Sequence, residues 1–284
     1  MTENKLVRPF LKWAGGKRQL LPEIQKYIPK KYQTYYEPFL GGGAVLFGLQ
    51  PKKAVVNDSN SELINCYKVI QNSLDDLITQ LRIHKEEHEQ YQESYFYKMR
   101  DLDRSNNYKD DYGAVQRAAR IIYLNKTCFN GLFRVNSSGQ FNVPFGRYKK
   151  PNILDETVLK AVNKYLNRNK INFLNKDFEE AVSDAKKGDF IYFDPPYDPV
   201  SITSSFTGYD VNCFNRDEQK RLKEVFDDLT FRGCKVLLSN SATDFIMDLY
   251  SQHKIDKVFA KRAINSKALR RGKVPEVLVR NYEQ

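Results

Sequence analysis

At 284 residues, 41% hydrophobic and 29% charged, the chain is long enough to bury a sizeable core and too apolar to stay disordered. No apolar run approaches bilayer-spanning length, and the opening MTENKLVRPF has no apolar signal core, so a cytoplasmic protein with no membrane partner is expected. A net charge of +11 favours a polyanionic partner. Cys66, Cys128, Cys213 and Cys234 lie far apart with no C-x-x-C, which fits a reducing compartment and cysteines used as small core hydrophobes.

In chain order, LKWAGGKRQL comes first. Its Gly-Gly-Lys fails as a phosphate loop, because the upstream glycine is missing and Arg18 stands where Ser or Thr would hold magnesium. A backbone loop that offers the Trp13 indole to a flat ligand and the Lys17 ammonium to a carboxylate suits it better, with Trp13 as plain core the alternative. TYYEPFL then GGGAVLF predicts strand, glycine turn and helix, and KAVVNDSN a short strand ending at Asn57-Asp58. Helical periodicity runs from about Glu62 to Leu81 and from about Ala114 to Asn125. FRVNSSGQFNVPF predicts a hairpin turning at Ser137-Ser138-Gly139. A helix near Val158–Asn167 precedes the strand INFLN, which leads to Asp177. FIYFD, KVLLSN and EVLVRNY follow as strands, with a helix over DEQKRLKEVFDDLTFRG. Strands alternating with helices at both ends predict a mostly parallel α/β sheet, and the middle breaks that rhythm.

In a parallel sheet, ligands bind beyond the carboxyl ends of the strands. Four motifs fall there: Pro38-Phe39-Leu40-Gly41-Gly42-Gly43, Asp58, Asp177 and Asp194. Glycine lets backbone pass close to a ligand, and Asp58 follows at the spacing at which an acid meets ribose hydroxyls; an ordinary tight turn with a helix-capping Asp is the alternative. In FIYFDPPYDP the prolines end the strand at Asp194. An exocyclic aromatic amine is a poor nucleophile because its lone pair is delocalised. The Asp194 carboxylate and the Pro195 carbonyl, aimed at its two N–H bonds, would free that lone pair and stabilise the charge that develops. Pro195 and Pro196 fix the geometry, and Tyr197 offers a face on which a base can stack once it has left a duplex. A stiff strand terminus is the bland alternative.

From Lys126 to Lys150 there are five basic residues and no acid, and from Lys257 to Arg280 eight against Glu276 alone. In the first cluster Arg134 suits guanine, and Asn130 or Asn136 adenine. Leu132 and Pro144 suit a thymine methyl, Phe129 a wedge into the stack, and Arg147, Lys149 and Lys150 phosphates. The run His84-Lys85-Glu86-Glu87-His88 formally matches a zinc-protease pattern, but it reads as a solvated helix face and no metal is expected.

FLKWAGGK, EPFLGGGAVLF, NDSN, YLNKTCFNGLFRVNSSGQFNVPFGRYKKP and FDPPY, in that order, closely resemble the Dam-type (alpha-group) adenine-N6 DNA methyltransferases over nearly the whole chain. The resemblance implies an S-adenosylmethionine-dependent, Rossmann-like core with an inserted helical and hairpin DNA-recognition domain. The expected division is 1–66 core, 67–165 recognition insertion and 166–284 core. It implies S-adenosylmethionine as methyl donor, adenine in double-stranded GATC as acceptor, and a restriction-protecting role. The cofactor contacts it implies are Trp13, Ala14, Gly15, Lys17, Phe39, Gly41, Gly43, Asp58, Asp177 and Asp194. Asp194, Pro195, Pro196 and Tyr197 match the catalytic corner. Lys12, Phe129, Asn130, Leu132, Arg134, Pro144, Arg147, Tyr148 and Lys149 match DNA contacts, with Lys12 reaching the first guanine. The chain departs from some relatives at Lys126-Thr127-Cys128-Phe129, which bears on the intercalating residue. A monomer or weak dimer is expected. An RNA or protein amino-methyltransferase, or a non-catalytic DNA-binding protein on the same scaffold, are the competing functions.

Overall fold

The computed structural model describes residues 4–13, 15–200, 214–261 and 273–283. Ala14 and Cys213 lie outside them. Seven strands form one sheet: β1 Tyr35–Glu37, β2 Lys53–Asn57, β3 Lys170–Leu174, β4 Phe190–Phe193, β5 Lys235–Ser241, β6 Lys254–Lys261 and β7 Lys273–Arg280. Their order is β3-β2-β1-β4-β5-β7-β6. β1 to β5 pair in parallel, and β7 runs antiparallel to both neighbours, so the mostly parallel α/β expectation holds. The chain winds outward from β1 through β2 to β3, then returns to lay β4 on the other side of β1. That reversal opens a crevice between the ends of β1 and β4.

Phe190 and Tyr192 of β4 point into one face of the sheet, and Ile191 and Phe193 into the other. All four are fully buried, which is why a continuous apolar run rather than an alternation marks this strand. Each such side chain contributes about 1.5–3 kcal/mol of burial. Helices α1 (Leu21–Tyr27), α2 (Ala44–Leu49), α3 (Ser61–Asn72), α4 (Leu74–Asp101), α5 (Tyr108–Asp111), α6 (Ala114–Thr127) and α7 (Glu156–Arg168) lie between β1 and β3 or just before them. α8 (Phe178–Ala181), α9 (Arg216–Phe231) and α10 (Asp244–Leu249) contribute to the opposite face. The side chains of 67–165 do not form a core of their own. Leu77, Ile122, Phe133 and Phe141 belong to the same buried cluster as Tyr35 and Phe190 of the sheet. α3 runs unbroken through residue 67, and α7 through 165.

The single helix expected over 62–81 is two. Ser73, non-helical at φ −141° and ψ 45°, ends α3, and its N–H donates to Val69 C=O at 2.8 Å. Asn72 and Ser73 are poor helix-interior residues that favour such ends. α4 then continues to Asp101 with one non-helical residue, Gln92. β6 escaped the sequence because Lys254 and Lys257 decorate an edge strand, the usual protection of an exposed sheet edge. The expected hairpin exists as isolated bridges, Val135 to Phe141 and Cys128 to Phe145, rather than as full strands. Its turn closes where expected, with Gly139 N–H donating to Asn136 C=O at 2.9 Å. Cys66, Cys128 and Cys234 are buried free thiols. Among the described residues no helix is long and apolar enough to cross a membrane.

Candidate active site

The four strands that carry the motifs are neighbours, β3-β2-β1-β4, so Asp177, Asp58, the glycine turn and Asp194 line one rim of the sheet. At the end of β4, Asp194 Oδ1 receives two hydrogen bonds, from Lys17 Nζ at 2.9 Å and from Ser239 Oγ at 2.9 Å. Ser239 lies on β5 beside β4 and also meets Tyr192 Oη at 3.0 Å. Burial pushes the Asp194 carboxyl above its ordinary value, against the pull of Lys17 and Ser239. Lys17 is 7% exposed; its ammonium also donates to Gly15 C=O at 2.9 Å and lies 4.4 Å from the Tyr197 ring centroid. The carboxylate that Lys17 meets is thus the protein's own Asp194.

The turn after Asp194 is held from behind. Gln219 Nε2, on α9, donates to Pro196 C=O at 2.8 Å. Asn240 Nδ2 donates to Gln219 Oε1 at 3.0 Å, while Asn240 Oδ1 accepts from Asp198 N–H at 3.1 Å. Gln219 and Asn240 are buried, so this chain of amides is shielded from water. Tyr197 Oη donates to Glu276 Oε2 at 2.8 Å, which fixes the ring's tilt beside Asp194. Burial, then Asp194 and Glu276, push the Tyr197 hydroxyl well above its ordinary value, so it stays a neutral donor.

Across the crevice, Gly41 and Gly43 have φ +50° and +70°, conformations that side chains rarely adopt. Asp58 Oδ2 accepts from Gly41 N–H at 2.8 Å and Oδ1 from Asn60 N–H at 2.9 Å. A Cβ on Gly41 would lie 3.0 Å from Trp13 Cδ1, so the half-buried indole walls the glycine turn. Its ring also stacks on Phe133, centroids 4.8 Å apart, so Trp13 is both a wall and a packing residue. Phe39 leaves β1 toward Phe178 and Phe214 at 5.3 and 5.7 Å.

Beside this site the basic segment forms an exposed surface. Phe129 N–H donates to Pro144 C=O at 2.9 Å and Gly146 N–H to Thr127 C=O at 2.8 Å, which lays the turn after α6 alongside 144–148. Phe129 is 51% and Tyr148 36% exposed, and Asn130, Arg134, Pro144, Arg147 and Lys149 are exposed with them. Leu132 is half-buried, and Lys12 Nζ lies 5.4 Å from the Tyr148 ring centroid. Asn142 holds the Arg134 guanidinium through its side-chain oxygen at 2.7 Å and its carbonyl at 3.1 Å. Asp103 anchors the hairpin by accepting from Phe141 N–H at 2.9 Å.

Residues 13–264 match the family model described as D12 class N6 adenine-specific DNA methyltransferase. The chain belongs to that family. It is 47% identical over 283 residues to Type II methyltransferase M1.LlaDCHI of Lactococcus lactis subsp. cremoris, covering 99% of this chain and 98% of that one. Type II methyltransferase M.MjaIII of Methanocaldococcus jannaschii is 46% identical over 291 residues, 97% and 99% of the two chains. The DNA adenine methylase of Escherichia coli K12 is 34% identical over 271 residues, 95% and 94%. The chain is therefore an adenine-N6 DNA methyltransferase, and its reaction requires a methyl donor.

In this D12-class enzyme Asp177 is already engaged. Arg221 of α9 grips both its carboxylate oxygens at 2.8 Å, and Asp177 caps α8 by accepting from Glu179 N–H at 3.0 Å. Arg221's hydrogen bonds hold the Asp177 carboxyl below the ordinary carboxylate range. The expectation of a solvated face for the HKEEH run fails at both histidines. His84 and His88 are 7% and 4% exposed, and their Nδ1 atoms meet Tyr95 and Tyr123 hydroxyls at 2.8 and 3.0 Å. Four residues apart on α4, they share the face that packs on α6. Among the described residues no group of His, Cys, Asp and Glu is arranged to hold a metal. Ser239, Gln219, Asn240 and Glu276 were not foreseen as part of the site. The signal was present in KVLLSNS, where three polar residues end a buried strand and must find partners.

Proposed function

We propose that the enzyme moves a methyl group from S-adenosylmethionine to N6 of adenine in double-stranded GATC, protecting DNA as part of a restriction-modification pair. The carrying observation is the Lys17–Asp194 contact, which joins the Gly15–Lys17 loop to the Asp-Pro-Pro-Tyr corner across the crevice between β1 and β4. The side chains around the glycine turn suit that donor. Asp58 suits ribose hydroxyls, Trp13 and Phe39 suit the adenosine, Asp177 suits it through the acceptor capacity its Oδ2 keeps beside Arg221, and the bare backbone at Gly41 and Gly43 suits close approach. Gly15 joins this set as backbone, and Ala14, outside the described residues, is assigned to it from the sequence alone. When bound, S-adenosylmethionine supplies an electrophilic methyl on a sulfonium. The acceptor adenine, flipped from the duplex, stacks on Tyr197. Asp194 and the Pro195 carbonyl accept its two N6 hydrogens, which frees the nitrogen lone pair. The N6 lone pair would take the methyl as the sulfonium S–C bond breaks to leave a thioether; Asp194 would stabilise the positive charge gathered on N6, which then loses one of its two hydrogens as a proton to solvent.

Residues 67–165 supply target recognition in this scheme. Lys12, Asn130, Leu132, Arg134, Pro144 and Tyr148 read bases, Phe129 fills the stack that the adenine leaves, and Arg147 and Lys149 meet phosphates. The similarity to two Type II methyltransferases supports the protective role.

The test uses purified protein, S-adenosylmethionine and two duplexes that differ only in GATC against GTAC, digested to nucleosides and analysed by mass spectrometry. N6-methyldeoxyadenosine from GATC alone is expected. Product from both keeps the chemistry and discards the recognition assignment. Product from neither, with cofactor bound, moves the substrate away from GATC, to another DNA site or to RNA or protein.

A further inference from the structure

Asn125, in the last turn of α6, is 1% exposed and belongs to neither the cofactor set nor the base-reading set. Its amide makes three hydrogen bonds, all to backbone and to two different segments. The side-chain oxygen accepts from Lys12 N–H at 2.9 Å, and the NH2 group donates to Lys12 C=O at 2.8 Å and to Gly131 C=O at 3.1 Å. The two bonds to Lys12 copy the way one strand grips its neighbour, and the third reaches the turn that presents Phe129 and Asn130. One acceptor and two donors on a neutral group is what a primary amide offers and a carboxylate or hydroxyl does not.

What this amide fixes is the Lys12–Trp13 segment. At Gly131, with φ +63°, the Lys12 stem occupies the space a Cβ would need, Lys12 Cδ lying 2.4 Å from that position. Lys12 is thereby aimed across the recognition turn at Tyr148. The next residue, Trp13, is pressed between Phe133 and the glycine turn. A single buried side chain therefore sets the position of two residues that face different ligands.

We propose that Asn125 is a positioning residue that sets base discrimination through Lys12 and methyl-donor affinity through Trp13. The proposal rests on Lys12 reading a base and Trp13 walling the donor site. Two quantities test it: S-adenosylmethionine affinity measured by calorimetry without DNA, and kcat/KM on the preferred duplex against duplexes changed at one base pair. Asn125→Ala is expected to lose about tenfold in discrimination, the scale of one good base contact, and about tenfold in cofactor affinity, the scale of a displaced positioning group. Lys12→Ala is expected to lose similar discrimination with cofactor affinity kept, and the double variant to discriminate no worse than Lys12→Ala alone. A lower melting temperature with both quantities unchanged, or additive losses of discrimination in the double variant, overturns the proposal. Should Asn125→Ala fail to fold, Gly131→Ala displaces the same Lys12 stem, and undiminished discrimination there overturns it equally. Wild-type protein that binds no S-adenosylmethionine or methylates no duplex defeats the functional assignment instead, before any variant is compared.

Discussion

Lys17 Nζ and Asp194 Oδ1 stand 2.9 Å apart, so the loop that precedes α1 and the corner that follows β4 share one ion pair. Burial raises the Asp194 carboxyl and Lys17 is the largest influence lowering it. Oδ1 already accepts from Lys17 and Ser239, and protonation would turn Oδ2 from an acceptor for a substrate N–H into a donor. Removing the cation favours the protonated form, so Lys17→Met moves the acid limb of kcat/KM to higher pH, by about one unit or more. A pH–rate profile on a single duplex reads this directly, and an unmoved limb would detach the ion pair from the chemistry.

Asp194→Ala is expected to abolish methyl transfer while duplex affinity stays near wild type, since in the proposed scheme the corner would meet one extruded base and the basic surface the DNA backbone. Tyr197 divides into two parts. Tyr197→Phe keeps the ring and loses the hydroxyl with its bond to Glu276, worth about 0.5–3 kcal/mol. Tyr197→Ala also loses base stacking, a further ~1–3 kcal/mol. Single-turnover rates should therefore fall in the order Phe, Ala, then Asp194→Ala, and equal rates for the two Tyr197 variants would exclude a stacking role.

Gln219 touches no substrate in this scheme, yet it holds the Pro196 carbonyl and the Asn240 amide. Gln219→Leu keeps the volume and leaves both groups unpaired in a buried place, at a stability cost of about 1–3 kcal/mol. The turn then loses its rear support, and kcat is expected to drop by roughly one to two orders of magnitude with KM for DNA unchanged. A variant that melts lower but turns over normally would make the amide chain purely structural.

The rim of the sheet was legible because each motif carries a local signal: prolines that stop a strand, glycines at positive φ, an acid just past an apolar run. Asp194, Asp58 and the glycine turn are accordingly together where a parallel sheet must put them. Groups that act from the far side of the fold had no such signal. Asn125 and Lys12 are 113 residues apart, and Gln219 and Pro196 belong to a helix and a loop whose contact depends on the whole sheet. The two histidines misled for a related reason. Charges at Lys85, Glu86 and Glu87 dominate the local composition, but a helix's buried face is chosen by spacing, and His84 and His88 fall on the same side as Leu77 and Leu81.

In the proposed scheme Arg134 reads a base and Lys149 meets the DNA backbone, so their variants separate the two. Arg134 is steered by Asn142, whereas Lys149 is exposed on the following segment. Arg134→Ala should cost about 1–3 kcal/mol on the preferred duplex and much less on a mismatched one. Lys149→Ala should weaken both alike and reduce the slope of log K against log salt by about one. Titrations of two duplexes at three salt concentrations check both, and uniform losses for both variants would remove Arg134 from base readout.

The buried histidines are expected to lower the stability of the folded protein in acid. Burial lowers His84 from its ordinary 6.5 to about 4, with Arg120 adding to the shift, and burial lowers His88 as well. The folded protein then binds fewer protons than the unfolded chain between those two values, so stability falls as pH drops from 6.5 toward 4 and levels off below. At 7% exposure, His84 alone accounts for about 3 kcal/mol across that window. His84→Gln keeps a partner for the Tyr95 hydroxyl and removes the titration. Its unfolding free energy, from urea melts at several pH values, should show a shallower acid decline than wild type. Parallel declines would mean that His84 is already protonated in the folded protein or that other groups carry the acid limb.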